Sequence, residues 1–266
     1  MLATRHLLAV VPAMSLAAAC GSSGDAAADA DAPSEPVTVS APAELDIQPV
    51  SHASFVLTSG ETVIYNDPVG GPEAYAAFAE PDLVLVSDIH PDHLDSATLV
   101  GVVAEGTELI VPQAVADQLP PKLAERARVL ANGEQLTIDG VDVYALPMYN
   151  LREEALEYHP KGRGNGYLVT VGGERVYIAG DTEDIPEMRA LTDVDVAFVP
   201  MNLPYTMPVD AAADAVLDFA PTRVIPYHYR GQEGLSDTAQ FRRLVEAGEA
   251  DVEVVSMAWY PERGED

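Results

Sequence analysis

The stretch Asp88-Ile-His90-Pro-Asp92-His93-Leu-Asp95 gathers the side chains most able to do chemistry. Two imidazoles and two or three carboxylates in so short a segment would repel one another, or stay unpaired, in a dry interior. A bound divalent cation resolves that conflict, and nitrogen and oxygen ligands of this kind suit zinc, iron or manganese. The plainer alternative is a solvated acidic turn with Asp95 as the N-cap of a following helix. That alternative suits Asp95. For Asp88, His90, Asp92 and His93, matching parts elsewhere in the chain favour the metal.

The elements around this stretch predict a loop at the carboxyl end of a buried strand. Leu83-Val-Leu-Val86 is a continuous apolar run, and Ala97–Val103 opens a helix. In open α/β sheets, sites are built at such strand ends. Strands are expected at Leu45–Val50, Ser54–Thr58 and Thr62–Asn66, with Ser59-Gly60-Glu61 as a hairpin turn. A short helix is expected at Pro72–Phe78, a strand at Glu108–Val111, and helices at Gln113–Gln118 and Lys122–Ala127. Glu134–Ile138 and Val141–Leu146 form a hairpin around Asp139-Gly140. Lys161–Gly166 reads as a glycine-rich turn. It precedes the strand Tyr167–Val171 and does not open a helix, so a nucleotide-binding reading is rejected. A strand at Arg175–Ala179 runs into Gly180-Asp181-Thr182, and a helix follows at Pro186–Leu191. The rest alternates: strand Val196–Val199, helix Val209–Phe219, strand Arg223–Ile225 ending near His228, helix Thr238–Glu249, strand Val252–Ser256. Two β-rich halves, each followed by helices, predict an α/β protein built as a four-layer αββα sandwich.

Of the six histidines, His6 lies in the N-terminal segment. The other five, His52, His90, His93, His159 and His228, all fall at strand ends or on loops. The order Asp88-x-His90-x-Asp92-His93, then Gly180-Asp181-Thr182, then a strand ending at His228, resembles the metallo-β-lactamase fold superfamily. The segments SHASFVL, DIHPDHLD, HPKGRGNGY and AGDT are most similar to the branch of ascorbate-6-phosphate lactonase-like hydrolases. The resemblance spans residues 44–256 and implies a metal-dependent hydrolase. It implies metal ligation by Asp88, His90, Asp92, His93, Asp181 and His228, with Asp181 bridging two ions and Asp92 orienting the nucleophile. Asp92 and Asp181 are therefore the expected catalytic carboxylates. One or two divalent ions are implied, zinc first, with manganese or iron as alternatives.

This sequence departs from the family pattern in two places. Asp88 stands where the family has a histidine. The family's intermediate histidine, expected after Val141–Leu146, is replaced by Met148-Tyr149-Asn150, which leaves the first site short of a ligand unless Tyr149 or Asn150 helps. His52, Tyr149, Asn150 and His159 are the candidate substrate-binding residues. His159 with Lys161 and Arg163 could hold a phosphate or carboxylate, and Asp67 could support a ligand histidine.

Composition limits the partners. The chain has 266 residues, 48% of them hydrophobic, and a formal charge of −29. Such a surface repels nucleic acid and anionic lipid; the expected partner is a small-molecule substrate. Residues 1–20 read as a signal peptide in which Leu16-Ala-Ala-Ala19 before Cys20 resembles a bacterial lipobox, with Leu16 one residue further from Cys20 than is preferred. Lipidation at Cys20 would make the protein an exported, membrane-anchored lipoprotein of the cell envelope; ordinary secretion with cleavage near Ala19 is the alternative. Residues 21–43 read as a flexible linker, and residues 44–266 as the hydrolase domain. Cys20 is the only cysteine, so no intramolecular disulfide can form. A rival functional class is a metal-binding envelope lipoprotein without catalytic activity.

Overall fold

The computed structural model describes residues 44–260. The expectations for the signal peptide, the linker and Cys20 lie outside the described residues. The N-terminal half builds a six-stranded sheet. Its strands are β1 (Leu45–Ser51), β2 (Ser54–Ser59), β3 (Thr62–Asn66), β4 (Leu83–Leu85), β5 (Glu108–Val111) and β6 (Ala127–Val129), ordered β1-β2-β3-β4-β5-β6. The first two pairings are antiparallel hairpins, and β3 to β6 run parallel. The C-terminal half builds a seven-stranded sheet from β7 (Gln135–Ile138), β8 (Val141–Met148), β9 (Gly164–Val171), β10 (Glu174–Ile178), β11 (Val196–Pro200), β12 (Arg223–Tyr227) and β15 (Glu253–Val254). A small hairpin of β13 (Arg230–Gly231) and β14 (Gly234–Leu235) follows β12.

The sheets face each other across one apolar layer. Phe55, Leu57, Ile64, Leu85 and Ile110 from the first sheet meet Tyr167, Val169, Ile178, Phe198, Ile225 and Tyr227 from the second. Phe55 stacks on Phe198 with ring centroids 4.2 Å apart. Trp259 closes this layer edge-on to both rings. Deleting such a buried ring would cost about 3–5 kcal/mol. The outer face of the first sheet is covered by α1 (Ser96–Val102), α2 (Gln113–Ala116) and α3 (Pro121–Ala124) through Leu99, Val115 and Leu123. The outer face of the second is covered by α4 (Pro186–Arg189), α5 (Val209–Phe219) and α6 (Thr238–Glu246) through Met188, Val216 and Phe241. The result is the expected four-layer αββα sandwich, because the central strands of the two large sheets alternate between the shared core and a helical coat.

The elements depart from expectation in a few places. Residues 164–166 are strand: Gly164 pairs with Met148 and Gly166 with Leu146. A Cβ on Gly164 would stand 2.7 Å from the Ser87 carbonyl oxygen, so glycine here permits close approach of the backbone before Asp88. Ala127 belongs to β6 and not to the preceding helix, a short edge strand with too few apolar residues to announce itself. The helix expected at Pro72–Phe78 is a 3₁₀ turn over Pro72–Tyr75. The β13–β14 hairpin carries no period-2 apolar pattern and was legible only in three dimensions.

Candidate metal centre

Four separate strand ends and one loop deliver the candidate ligands to one end of the sandwich. The loop after β4 carries Asp88, His90, Asp92 and His93. It is held down by its own turn, in which His93 and Leu94 N–H groups donate to the His90 carbonyl. Asp95 then caps α1 by accepting from the Ala97 and Thr98 N–H groups, the role expected of it. The turn after β10 carries Asp181 behind Gly180, whose φ is +67°. His228 follows β12 and His52 joins β1 to β2. Both are left-handed, with φ of 45° and 55°. Non-glycine residues rarely adopt that region, and such strain collects at functional sites.

Asp181 is the hub. Its Oδ1 lies 3.2 Å from His228 Nε2, and its Oδ2 lies 3.3 Å from His93 Nε2 and 3.0 Å from His159 Nε2. The Nε2 atoms of His93 and His228 are 3.2 Å apart. Asp181 Oδ1 and His159 Nε2 are buried and have no well-directed hydrogen bond. Asp92 Oδ2 lies 3.4 Å from His228 Nε2 and 3.2 Å from His52 Nε2. Thus Asp92, His93, Asp181 and His228 meet in space, and His52 joins them.

The far nitrogens of two of these rings are held from behind. His93 Nδ1 lies 2.8 Å from Asp67 Oδ2, and Asp67 is itself fixed by the Ser87 N–H at 2.7 Å and the Ser87 hydroxyl at 2.7 Å. His228 Nδ1 lies 2.9 Å from the Asn202 side-chain amide. A carboxylate behind a histidine fixes the ring and raises its basicity as a ligand. Converging Nε2 atoms with a bare carboxylate oxygen form a nitrogen–oxygen donor set that fits a divalent cation. His93, Asp181 and His228 offer donor atoms all within 4.8 Å of one another, as do His52, Asp92 and His228, and as do Asp88, His90 and His159.

Without a metal, the electrostatics express the same crowding. Burial pushes the Asp181 carboxyl up, but the His228, His93 and His159 rings hold it well below the ordinary range. Burial opposes the charge on His93, yet Asp181 and Asp67 raise its pKa well above that of a free imidazole. Burial also works against the Asp92 carboxylate, and His228 and His52 bring it down. His52 is lowered, chiefly by burial.

His159, expected as a substrate contact, points its Nε2 at Asp181 Oδ2, while its Nδ1 is 3.1 Å from the Tyr205 carbonyl oxygen. It sits where the missing histidine of the resemblance would be needed. Sequence reasoning looked directly after β8; the ring instead arrives from a loop further along. The Asn150 N–H donates to the His159 carbonyl at 3.0 Å and so ties that loop to the end of β8.

Asn150, expected as a substrate contact, is buried and does not line the cavity over the centre. Its side-chain amide donates to the Ala155 and Tyr205 carbonyls at 2.8 and 2.7 Å. Tyr149 also turns away: its hydroxyl donates to Glu187 at 2.9 Å and accepts from Lys161. Lys161 pairs with Glu187 at 2.7 Å, and Arg163 with Asp88 at 2.7 Å. The anticipated cationic cluster is therefore spent on neighbouring carboxylates. His90 pairs with Asp88, Nδ1 to Oδ2 at 2.9 Å.

A cavity of about 310 Å³ opens over the centre, lined by His52, His90, Asp92, His159 and Asp181 together with Tyr158, Tyr205 and Arg230. Arg230 is the one Arg or Lys in its wall, and sequence reasoning missed it because it sits on the unforeseen β13–β14 hairpin. A larger hollow of about 500 Å³, lined by Arg152, Leu203, Gln232 and Leu235 among others, contains none of these histidines or Asp181. Chemistry follows the donor atoms, so the smaller cavity is the candidate site.

Comparison with known proteins agrees with this geometry. Residues 46–228 match the model of the beta-lactamase superfamily domain, from β1 to the last candidate ligand. A UPF0173 metal-dependent hydrolase of Pyrococcus abyssi is 28% identical over 206 residues, covering 74% of this chain and 90% of that protein. A crystal structure from Parabacteroides distasonis, assigned to the metal-dependent hydrolases, superposes with a TM-score of 0.73 at 36% identity, covering 82% of this chain and 94% of that one. A metallo hydrolase of Ignicoccus hospitalis shares the fold at 23% identity and a TM-score of 0.65, covering 80% of this chain and 95% of that one. The histidine and aspartate ends of two facing sheets, and a family match that spans them, place this chain in the beta-lactamase superfamily, among its metal-dependent hydrolases.

Proposed function

We propose that the protein hydrolyses an ester, lactone, phosphoester or amide bond in a small anionic substrate, using a divalent cation held by His93, Asp181 and His228 beside Asp92. The observation that carries this reading is Asp181: a buried carboxylate flanked by three imidazoles, in the wall of the cavity. When bound, such a cation lowers the pKa of water from 15.7 to about 7 and polarises the bond under attack.

The protein's own groups do the rest. Asp92 is half-buried at the cavity wall, with His52 Nε2 at 3.2 Å, so its carboxylate can accept a hydrogen bond from the attacking water and aim it. His52 is in turn steadied by the Tyr260 hydroxyl at Nδ1. Tyr158 and Tyr205 pack edge to face, with centroids 5.2 Å apart, and form an apolar wall. Arg230 lies over the Tyr260 ring at 4.1 Å and has no carboxylate partner among the described residues within salt-bridge range. In a chain of net charge −29, a guanidinium at the mouth of the site with no carboxylate partner among the described residues supports recognition of a carboxylate or phosphate. The cavity, about 310 Å³, is at the small end of ligand sites and favours a compact substrate.

Zinc is the first candidate ion for this donor set, with manganese or iron next. The same reading includes export and anchoring through a lipid on Cys20. It is supported by the apolar segment before that cysteine and tested by incorporation of labelled fatty acid into the parent and Cys20→Ala proteins.

The central experiment measures metal content and chelator-sensitive turnover on a panel of lactones, carboxylic esters, phosphomonoesters, phosphodiesters and amides. We expect turnover that is lost with chelator, restored with metal, and abolished in Asp181→Ala. Stoichiometric metal without turnover anywhere on the panel would instead support a non-catalytic, metal-binding envelope protein.

A further inference from the structure

Arg163 has no part in the chemistry above, yet it is among the most firmly held side chains beside the centre. Its guanidinium grips Asp88 in a two-pronged pair: Nε donates to Oδ1 at 2.9 Å and a terminal NH2 donates to Oδ2 at 2.7 Å. The same NH2 lies 3.4 Å from His90 Nε2 and also donates to the Tyr158 carbonyl. The other nitrogen of His90 is turned to Asp88, as described. Both oxygens of Asp88 and both nitrogens of His90 therefore already have partners.

Asp88, His90 and His159 also offer donor atoms within 4.8 Å of one another, but a permanent positive charge, the Arg163 guanidinium, is bonded to the first and lies against the second, on the ground that a cation shared by them would need. Arginine does not deprotonate in proteins, so the charge cannot be removed to admit a metal. A divalent ion entering there would have to break a paired, buried carboxylate contact and leave the guanidinium repelled at close range. Asp88 is fully buried, and Arg163 is mostly so.

The opposite side of Asp181 is built differently. There the Nε2 atoms of His93 and His228 converge, their Nδ1 atoms are held from behind, and among the described residues no lysine or arginine pairs with either ring. His93, His159 and His228 each lie within 3.3 Å of an Asp181 oxygen. His90 instead pairs with Asp88. The two halves of the centre are not equivalent: one offers bare donors, and the other offers donors already satisfied by an internal cation.

We propose that the Asp88–Arg163 pair closes the His90 side of the centre, so that the protein holds a single divalent cation on the His93–Asp181–His228 side. Arg163 then supplies, as a fixed charge, the positive potential that a second ion would bring. It is a positioning residue in this role. The inference rests on the hydrolase reading, but it concerns how many ions bind and what closes the second place, which that reading leaves open.

The test uses the full chain, stripped with chelator and titrated separately with Zn²⁺ and Mn²⁺. Bound metal is counted by elemental analysis, and affinity is read by competition with a chromophoric chelator. The parent should take up one equivalent tightly, with any second binding weaker by on the order of 100-fold or more, as a fixed neighbouring charge implies. His93→Ala should lose the tight equivalent and His90→Ala should keep it. Arg163→Gln should gain a second equivalent, with thermal melting reporting whether that variant folds. If it does not fold, the contrast between His90→Ala and His93→Ala decides. Two equivalents of similar affinity in the parent, equal loss in both histidine variants, or a folded Arg163→Gln that still binds only one would each overturn the proposal. Failure of the parent to bind any metal would refute the hydrolase reading itself, and the proposal with it.

Discussion

Asp67→Asn is the most informative single perturbation of this protein, because it changes one charge and nearly no volume. Asp67 is fully buried and left-handed, with φ of 44°. Asparagine tolerates that conformation well, so the backbone should not object. The hydrogen bonds will. Oδ1 accepts from the Ser87 N–H at 2.7 Å; Oδ2 accepts from the Ser87 hydroxyl at 2.7 Å and the Asn66 amide at 3.1 Å, and faces His93 Nδ1 at 2.8 Å. Both oxygens are thus acceptors for donors on opposite sides. An amide has one oxygen and one NH2, so in either orientation its NH2 must face a donor. If it faces the backbone, the Ser87 N–H is left buried and unpaired, at about 1–3 kcal/mol. If it faces the ring, His93 Nδ1 loses its acceptor and the ring its fixed tautomer. Either way the carboxylate behind the metal-facing imidazole is gone, and such losses typically lower metal affinity by about 10–100-fold. The expected result is a lower melting temperature and a 10–100-fold weaker competition constant for Zn²⁺, as that principle gives in round numbers. An Asp67→Asn protein that binds Zn²⁺ as tightly as the parent would refute the idea that His93 faces the metal with Asp67 behind it.

Other outcomes follow from the same structure. Arg230→Ala should raise KM for anionic substrates by about 10-fold or more, since a charge-assisted contact is lost, while leaving metal content unchanged and costing no more than about 1 kcal/mol of stability for the lost contact over the Tyr260 ring; equal KM for charged and neutral substrates in the parent would remove its assigned role. Asp95→Ala should destabilise the fold by about 1 kcal/mol, because it removes the oxygen that accepts from the Ala97 and Thr98 N–H groups at the start of α1, and denaturant titration would detect it. The Tyr75 hydroxyl, buried against the Val69 backbone, has its pKa pushed up to about 12. A raised pKa means the folded state holds its proton longer, so this contribution is full below pH 10, the value for an exposed tyrosine, and is lost as pH rises through about 12. Denaturant titrations should show stability falling over that alkaline window, and Tyr75→Phe should shrink the fall; an unchanged slope would count against it.

Much of this protein is legible in its sequence, for a local reason. Strand and helix periods are properties of neighbouring residues, so β1 to β5, the β7–β8 hairpin, β10, β11, α5 and the start of α1 can be placed from apolar patterning. The ligand loop is legible too, because Asp88, His90, Asp92 and His93 are neighbours in the chain and their crowding needs no fold to be noticed. The Gly180-Asp181-Thr182 and His228 strand ends follow from the same logic. What the tertiary structure decided is partnership across the chain. Arg163 meets Asp88 from the end of the loop that joins β8 to β9, His159 faces Asp181 from a part of that loop that reads as polar surface, and Tyr149 is drawn away by Glu187 and Lys161. Arg230 reaches the cavity on a hairpin with no apolar signature. Residue type tells what a side chain can bond to. Only the packing of two sheets face to face fixes which of several candidate charges arrives first, and hence which donors remain free for a cation and which are already paired.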